Sequence, residues 1–201
     1  GDREGDVLVF PEYARFRSGE SGFAALTAFL SGPKLQAGLP PASGGDVEDL
    51  AGAFAFICAH AHRDARCGHC GPRLQEALEA QRSEGLHLDF QVRKCSHVGG
   101  HKYAGNVIVF SGKSAALPSH GDGHWYGYVT PGNLPAVLSG RAICGPLWRG
   151  RMGVPEEGAK KERRAKVVRE AVPLALLALG GAALAGALLW RCIGGARRRS
   201  E

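Results

Sequence analysis

Phe54-Ala55-Phe56-Ile57-Cys58-Ala59-His60-Ala61-His62-Arg63-Asp64-Ala65-Arg66-Cys67-Gly68-His69-Cys70-Gly71-Pro72 runs from an uncharged apolar segment into a Cys-x-x-Cys motif. The first five residues have the composition of a buried strand. Pro72 fits the start of a helix, where its missing N–H is no loss, so a helix is predicted from Gly71 to about Ser83. A Cys-x-x-Cys at a strand-to-helix turn is a natural place for a redox dithiol, because a helix N-terminus favours thiolate. The same motif is common in zinc sites, and by itself it does not separate the two chemistries.

Outward from this stretch the pattern alternates. Upstream, Asp6 to Pro11 reads as a short strand, Ser21 to Leu30 as a short helix and Gly38 to Gly45 as a Gly/Pro-rich linker. Downstream, Leu88 to Val92, Asn106 to Phe110 and Trp125 to Val129 read as strands, and Pro131 introduces a helix to about Ser139. From Phe54 onward the order strand, helix, strand, strand, strand, helix is that of an α/β domain with the thioredoxin fold. No internal repeat is visible.

Three further residues, Cys58, His97 and His101, change the chemistry on offer. Cys58 and Cys67 have eight residues between them, and His97-Val98-Gly99-Gly100-His101 follows thirty residues after Cys67. Two thiolates and two imidazoles suit zinc, or a [2Fe–2S] cluster in which histidines hold one iron. The glycine pair between the histidines allows a tight turn and close approach to a bulky ligand. Cys95, Cys144 and Cys192 read as structural, and His60, His62 and His69 as exposed or neighbouring groups. Trp125, Tyr126 and Tyr128 read as core or rim aromatics. The six cysteines do not have the spacing of a small secreted disulfide scaffold.

The net charge of +6 is not spread evenly. Residues 1–146 sum to −1, residues 147–170 to +4 and residues 191–201 to +3. That distribution argues against a nucleic-acid-binding face on the globular part. Between the basic blocks, Ala171 to Trp190 is twenty residues without a charge. A helix of about 20 residues is about 30 Å long, the thickness of a bilayer's hydrocarbon core. Trp190 and Arg191 stand where interfacial anchors are expected. Small-residue pairs such as Gly181/Ala185 and Ala182/Gly186 suit packing against other membrane helices.

Several stretches of this chain resemble the sucrase/ferredoxin-like family of thioredoxin-fold [2Fe–2S] proteins, in its plant and algal form. They are Gly5 to Glu12, Phe56 to His60, Arg63 to Pro72, Cys95 to Asn106, Gly123 to Pro131 and Leu147 to Gly153, with Cys-x8-Cys and His-Val-Gly-Gly-His-Lys the most specific. The resemblance implies a thioredoxin-like ferredoxin domain whose [2Fe–2S] ligands are Cys58, Cys67, His97 and His101. Cys70 has a counterpart in plant-type members and is not an expected ligand. Arg63, Asp64, Cys70, Lys102 and Tyr103 are expected around the ligands, where they tune the cluster or simply anchor loops.

On this basis residues 1–45 are expected to be the remnant of an upstream half-domain plus linker, and residues 46–150 the cluster domain. Residues 151–170 would form a basic helical juxtamembrane segment, 171–190 a single transmembrane helix and 191–201 a basic tail. Gly1 is a candidate processing site. The expected role is a membrane-anchored one-electron carrier, not an enzyme, within a membrane respiratory complex whose subunits are its partners. A mitochondrial inner membrane is the first expectation and a plastid membrane the second. Two other classes remain open: a disulfide oxidoreductase using Cys67 and Cys70, and a structural zinc or scaffold subunit using the four-residue set.

Overall fold

Ala53–Cys58 forms a strand in which every residue except Phe56 is buried. Such a strand has to lie between neighbours and be covered on both faces. The computed structural model describes residues 3–36, 40–85, 90–112 and 123–169. Numbered along the chain, its elements begin with β1 (Val7–Val9), β2 (Ala14–Phe16), α1 (Glu20–Ser31), α2 (Pro33–Gln36) and β3 (Val47–Asp49). There follow β4 (Ala53–Cys58), α3 (Ala65–Ser83), β5 (Phe90–Cys95) and β6 (Val107–Phe110). The series closes with β7 (His124–Tyr126), α4 (Leu134–Leu138) and β8 (Trp148–Arg151).

The main sheet has the order β5-β4-β6-β7-β8. β4 and β5 are parallel, while β4/β6, β6/β7 and β7/β8 are antiparallel. A parallel strand–helix–strand unit beside an antiparallel pair, followed by a helix, is the thioredoxin-like arrangement expected from the sequence; β8 is added at the edge. Directly paired residues share a face. Phe54 pairs with Phe110, and Phe56 with Ile108, which pairs in turn with Trp125. These side chains pack with Phe10, Tyr13, Leu50 and Val98 into one apolar cluster. Leu74 and Leu78 of α3, and Leu134 and Leu138 of α4, are fully buried. Each such side chain contributes about 1.5–3 kcal/mol relative to exposure.

The small sheet, β1-β2-β3, is antiparallel throughout and takes its third strand from beyond residue 45. Phe16 and Phe29 anchor it beneath α1. Its polar side is an ion cluster. The Arg17 fork donates to Glu48 (Nε–Oε1 2.6 Å, Nη2–Oε2 2.8 Å) and to Asp6 Oδ2 at 2.9 Å. Asp6 also accepts from the backbone N–H groups of Arg3 and Ser18, both at 2.9 Å. Those backbone bonds, and then Arg17, lower the Asp6 carboxyl from 3.8 to about 2. A carboxyl lowered by folding adds stability above its unfolded pKa, and that stability is lost as pH falls toward the folded value. Asp6→Asn should therefore flatten the acid limb of the stability–pH curve between about pH 4 and pH 2, read by thermal melts across that range. An unchanged limb would place the acid sensitivity elsewhere.

Several boundaries differ from the sequence expectation. α3 begins at Ala65, six residues before Gly71, because Asp64 is extended and its side chain accepts from the Arg66 N–H as an N-cap. Pro72 therefore lies inside the helix. β5 continues to Cys95, past the expected end at Val92. β7 stops at Tyr126, short of Val129, since Tyr128 takes a left-handed conformation (φ 57°) that ends a strand. β2, β3 and β8 were not expected; each is three or four residues long, and Trp148-Arg149-Gly150-Arg151 mixes charge and glycine.

Two compact units divide the chain, Gly1–Val154 and Pro155–Glu201. In the second, residues 156–169 are helical, as expected, with an i,i+4 pair between Glu156 and Lys160 at 2.9 Å. The expected span at residues 171–190, the tail at 191–201 and Cys192 lie outside the described residues. Among the described residues no helix is long and apolar enough to cross a membrane.

Candidate metal centre

Parallel pairing of β4 with β5 puts their C-terminal residues, Cys58 and Cys95, directly side by side. The segments that leave both strands emerge at that one end, which is where sites form on parallel strands. Cys58 closes β4; its N–H donates to Asn106 O at 3.1 Å, and the next N–H, of Ala59, donates to Cys95 O at 3.3 Å. Cys67 is the third residue of α3. His97 follows β5 by two residues, and His101 begins a 3-10 turn, His101–Tyr103.

The ligand atoms of Cys58, Cys67 and His97 all lie within 4.8 Å of one another. Cys67 Sγ is 4.0 Å from His97 Nδ1. The His101 ring stacks beside that of His97, with centroids 5.8 Å apart and planes at 27°. Three of the four expected ligands thus share one group, and the fourth ring lies alongside it. Both cysteines are buried, His97 is half-buried and His101 is exposed. Burial, and then the neighbouring Cys58, push the Cys67 thiol up to about 12. Burial also raises Cys95 to about 11, with Cys58 contributing next.

Two glycines on α3 make the cysteine pair possible. A Cβ on Gly71 would lie 2.6 Å from both the Cys58 carbonyl oxygen and the Ala59 Cβ; one on Gly68 would lie 2.5 Å from the Ala61 Cβ. The helix therefore rests directly on the backbone of residues 58–61, and Cys67 meets Cys58. Gly71→Ala should force these segments apart at a cost of about 1–3 kcal/mol, measurable by urea denaturation. A variant as stable as the parent would show that the contact relaxes freely.

The five residues expected around the ligands have distinct places. Asp64 caps α3 and forms an ion pair with Arg66 at 3.0 Å; that guanidinium holds its carboxyl at about 2, with His101 a smaller contributor. Cys70 is partly exposed, one turn along α3 from Cys67. Lys102 is exposed, with Nζ 4.9 Å above the Tyr103 ring. Tyr103 meets Tyr128 edge-on at 5.4 Å. Arg63 is exposed and gives its N–H to His60 O at 3.3 Å.

Four residues with no expected role also shape the site: Gly68, Gly71, Asn106 and Arg149. Asn106 is buried, and its side chain bridges Gly100 O (3.2 Å) to Arg149 Nη1 (2.8 Å). The local sequence carries no signal for a bridge between residues 43 apart. Only the spacing of Gly68 and Gly71, one turn apart on a helix, marks a flush face.

A thioredoxin-like domain presenting two buried cysteines and two adjacent histidines at the end of its parallel strands is a candidate metal-binding protein, and its donors fit either zinc or iron–sulfur chemistry. The chain belongs to the sucrase/ferredoxin-like family, whose model matches residues 1–150. Among its relatives, the altered inheritance of mitochondria protein 32 of Meyerozyma guilliermondii is 35% identical over 92 residues, 45% of this chain and 30% of that one. The protein of the same name in Eremothecium gossypii is 38% identical over 103 residues, 47% of this chain and 31% of that one. The actin patches distal protein 1 of Saccharomyces cerevisiae is 35% identical over 95 residues, 43% of this chain and 28% of that one. The chain spans about a third of the length of the curated relatives it matches. Among solved structures, the thioredoxin-like [2Fe–2S] ferredoxin of Aquifex aeolicus aligns with a TM-score of 0.38 at 14% identity, covering 53% of this chain and 97% of that one.

Proposed function

We propose that this protein is a one-electron carrier that holds a [2Fe–2S] cluster through Cys58, Cys67, His97 and His101. The observation that carries this reading is the meeting of the Cys58, Cys67 and His97 ligand atoms within 4.8 Å, with the His101 ring stacked alongside. When bound, such a cluster supplies a centre that takes up and returns a single electron.

The residues divide the work. Cys58 and Cys67, buried at the inner side, would bind as thiolates, a form that needs the metal's positive charge in so dry a site. His97 and His101 bind as neutral imidazoles, so the protein donates two negative charges where an all-cysteine site donates four. That difference favours the reduced state and raises the potential. His101 and Lys102 are exposed and Tyr128 is 54% exposed, so the histidine side is where a redox partner approaches. Cys67 is wholly buried, which speaks against a nucleophilic Cys67/Cys70 dithiol, since such thiols sit in accessible, thiolate-favouring surroundings.

The same proposal places the carrier at a membrane through residues 171–190, within a membrane respiratory complex. The support is the uncharged run bracketed by basic residues. A mitochondrial inner membrane is favoured over a plastid one, in keeping with the mitochondrial wording in the relatives' name. Carbonate extraction of membranes tests the anchor: recovery of the full chain in the supernatant would remove it.

The deciding experiment for the cluster is an absorption and paramagnetic resonance spectrum of the protein before and after dithionite. A visible chromophore that bleaches, with a new S = 1/2 signal, is expected. A colourless protein containing one zinc would assign the same four residues to a structural site.

A further inference from the structure

We infer that Arg149 is a positioning residue for the histidine loop, a fixed cation that clamps the turn between His97 and His101. The inference rests on the cluster reading for its purpose, while its geometry stands without it.

Arg149 projects from β8, the edge strand, across its neighbour. Its stem passes Gly127, where a Cβ would lie 2.9 Å from Arg149 Cδ. Its head then ends against Gly100, where a Cβ would lie 2.6 Å from Nη2 and 2.7 Å from Nη1. Between those points the guanidinium lies over two rings, 3.8 Å from the Trp125 centroid and 4.3 Å from that of Tyr103. Stacking of this kind suits the planar guanidinium and not an ammonium. Its hydrogen-bond partner is Asn106, which accepts from Nη1 through Oδ1 and donates through Nδ2 to Gly100 O.

Each contact acts on the ligands at one remove. Gly100 precedes His101 and has φ 64°, a left-handed conformation that lets the chain turn from one histidine to the other. The guanidinium covers the space a side chain would need there, and the Asn106 bridge fixes the Gly100 carbonyl. Tyr103 closes the 3-10 turn that His101 opens, and Gly100 caps it, so the cation meets the residue before the turn and the residue that ends it. Asn106 O also accepts from the Cys58 N–H, so one residue ties the clamp to both the cysteine and the histidine sides. The positive charge is half-buried and held in place, where its field is poorly screened. A fixed cation beside the histidine ligands also favours the more negative, reduced state of a bound cluster.

The test compares Arg149→Met, which keeps the stem and removes the charge and fork, with Arg149→Lys, which keeps the charge and loses the planar stack. In the metal-free protein, amide hydrogen exchange across residues 97–103 should quicken about tenfold in both variants, while exchange from Ala53 to Ile57 of β4 stays unchanged. In the cluster-loaded protein, loss of cluster to a chelator should quicken about 10–100-fold in both, the usual range for residues that orient ligands. The midpoint potential should fall in Arg149→Met and stay close to the parent in Arg149→Lys, a split that a purely structural role would not produce. Parental loop exchange and parental cluster loss in a folded Arg149→Met protein would overturn the clamp. If Arg149→Met does not fold, the same two readouts in Arg149→Lys decide the question. If the parent binds zinc instead, the cluster reading fails, and the loop exchange of the metal-free protein still tests the clamp.

Discussion

Cys67→Ala protein, purified beside the parent, should contain less than about a tenth of its iron and show no visible chromophore, whereas Cys70→Ser should keep both. The two cysteines are one helical turn apart, yet their surroundings differ. Cys67 is at 0% exposure, with its sulfur facing Cys58 and His97. Cys70 is partly exposed and lies outside the group formed by those three residues. Losing Cys67 would halve the negative charge that the protein offers a cluster, from two thiolates to one, and leave one coordination position unfilled. The opposite result, with Cys70→Ser abolishing a dithiol–disulfide activity in a colourless protein, would favour the oxidoreductase class. Truncating Cys67 removes one buried sulfur, so a thermal melt within a few degrees of the parent would assign the loss of iron to ligation and not to unfolding.

The pair Cys67/Cys70 also shows where the sequence was legible. β4 could be read because a strand buried at all but one position is a continuous apolar run, and the four ligand candidates because thiols and imidazoles at loop spacings have few structural reasons to recur. The start of α3 was misplaced because two signals competed: Pro72 suggested a beginning, while the Asp64 cap set it. Capping forms a bond, whereas proline only tolerates a position. The short strands β2, β3 and β8 left no periodic trace, since three or four residues give too few alternations to register. Arg149 and Asn106 were out of reach for another reason. Their value lies in a contact 43 residues apart and in the glycine gap it fills, and neither is a property of the local sequence.

Converting either histidine to cysteine should preserve a cluster and lower its potential, and the two positions should differ. Neutral imidazole ligands place Rieske centres at roughly −150 to +300 mV, against about −400 mV for all-cysteine plant-type ferredoxins. One added thiolate should therefore cost on the order of 100 mV or more, since it brings a full negative charge to the iron. His97 is half-buried, with its ligand atom within 4.8 Å of both cysteine sulfurs; His101 is exposed. A charge introduced at the drier position interacts more strongly with the electron being added, because the surrounding dielectric is lower. His97→Cys should accordingly fall further than His101→Cys, as read by redox titration of the visible spectrum at one pH and salt concentration. A colourless His101→Cys protein beside a coloured His97→Cys protein would count against ligation by His101. Equal potentials in parent and His101→Cys would remove His101 from the ligand set, and the charge argument would then apply to His97 alone.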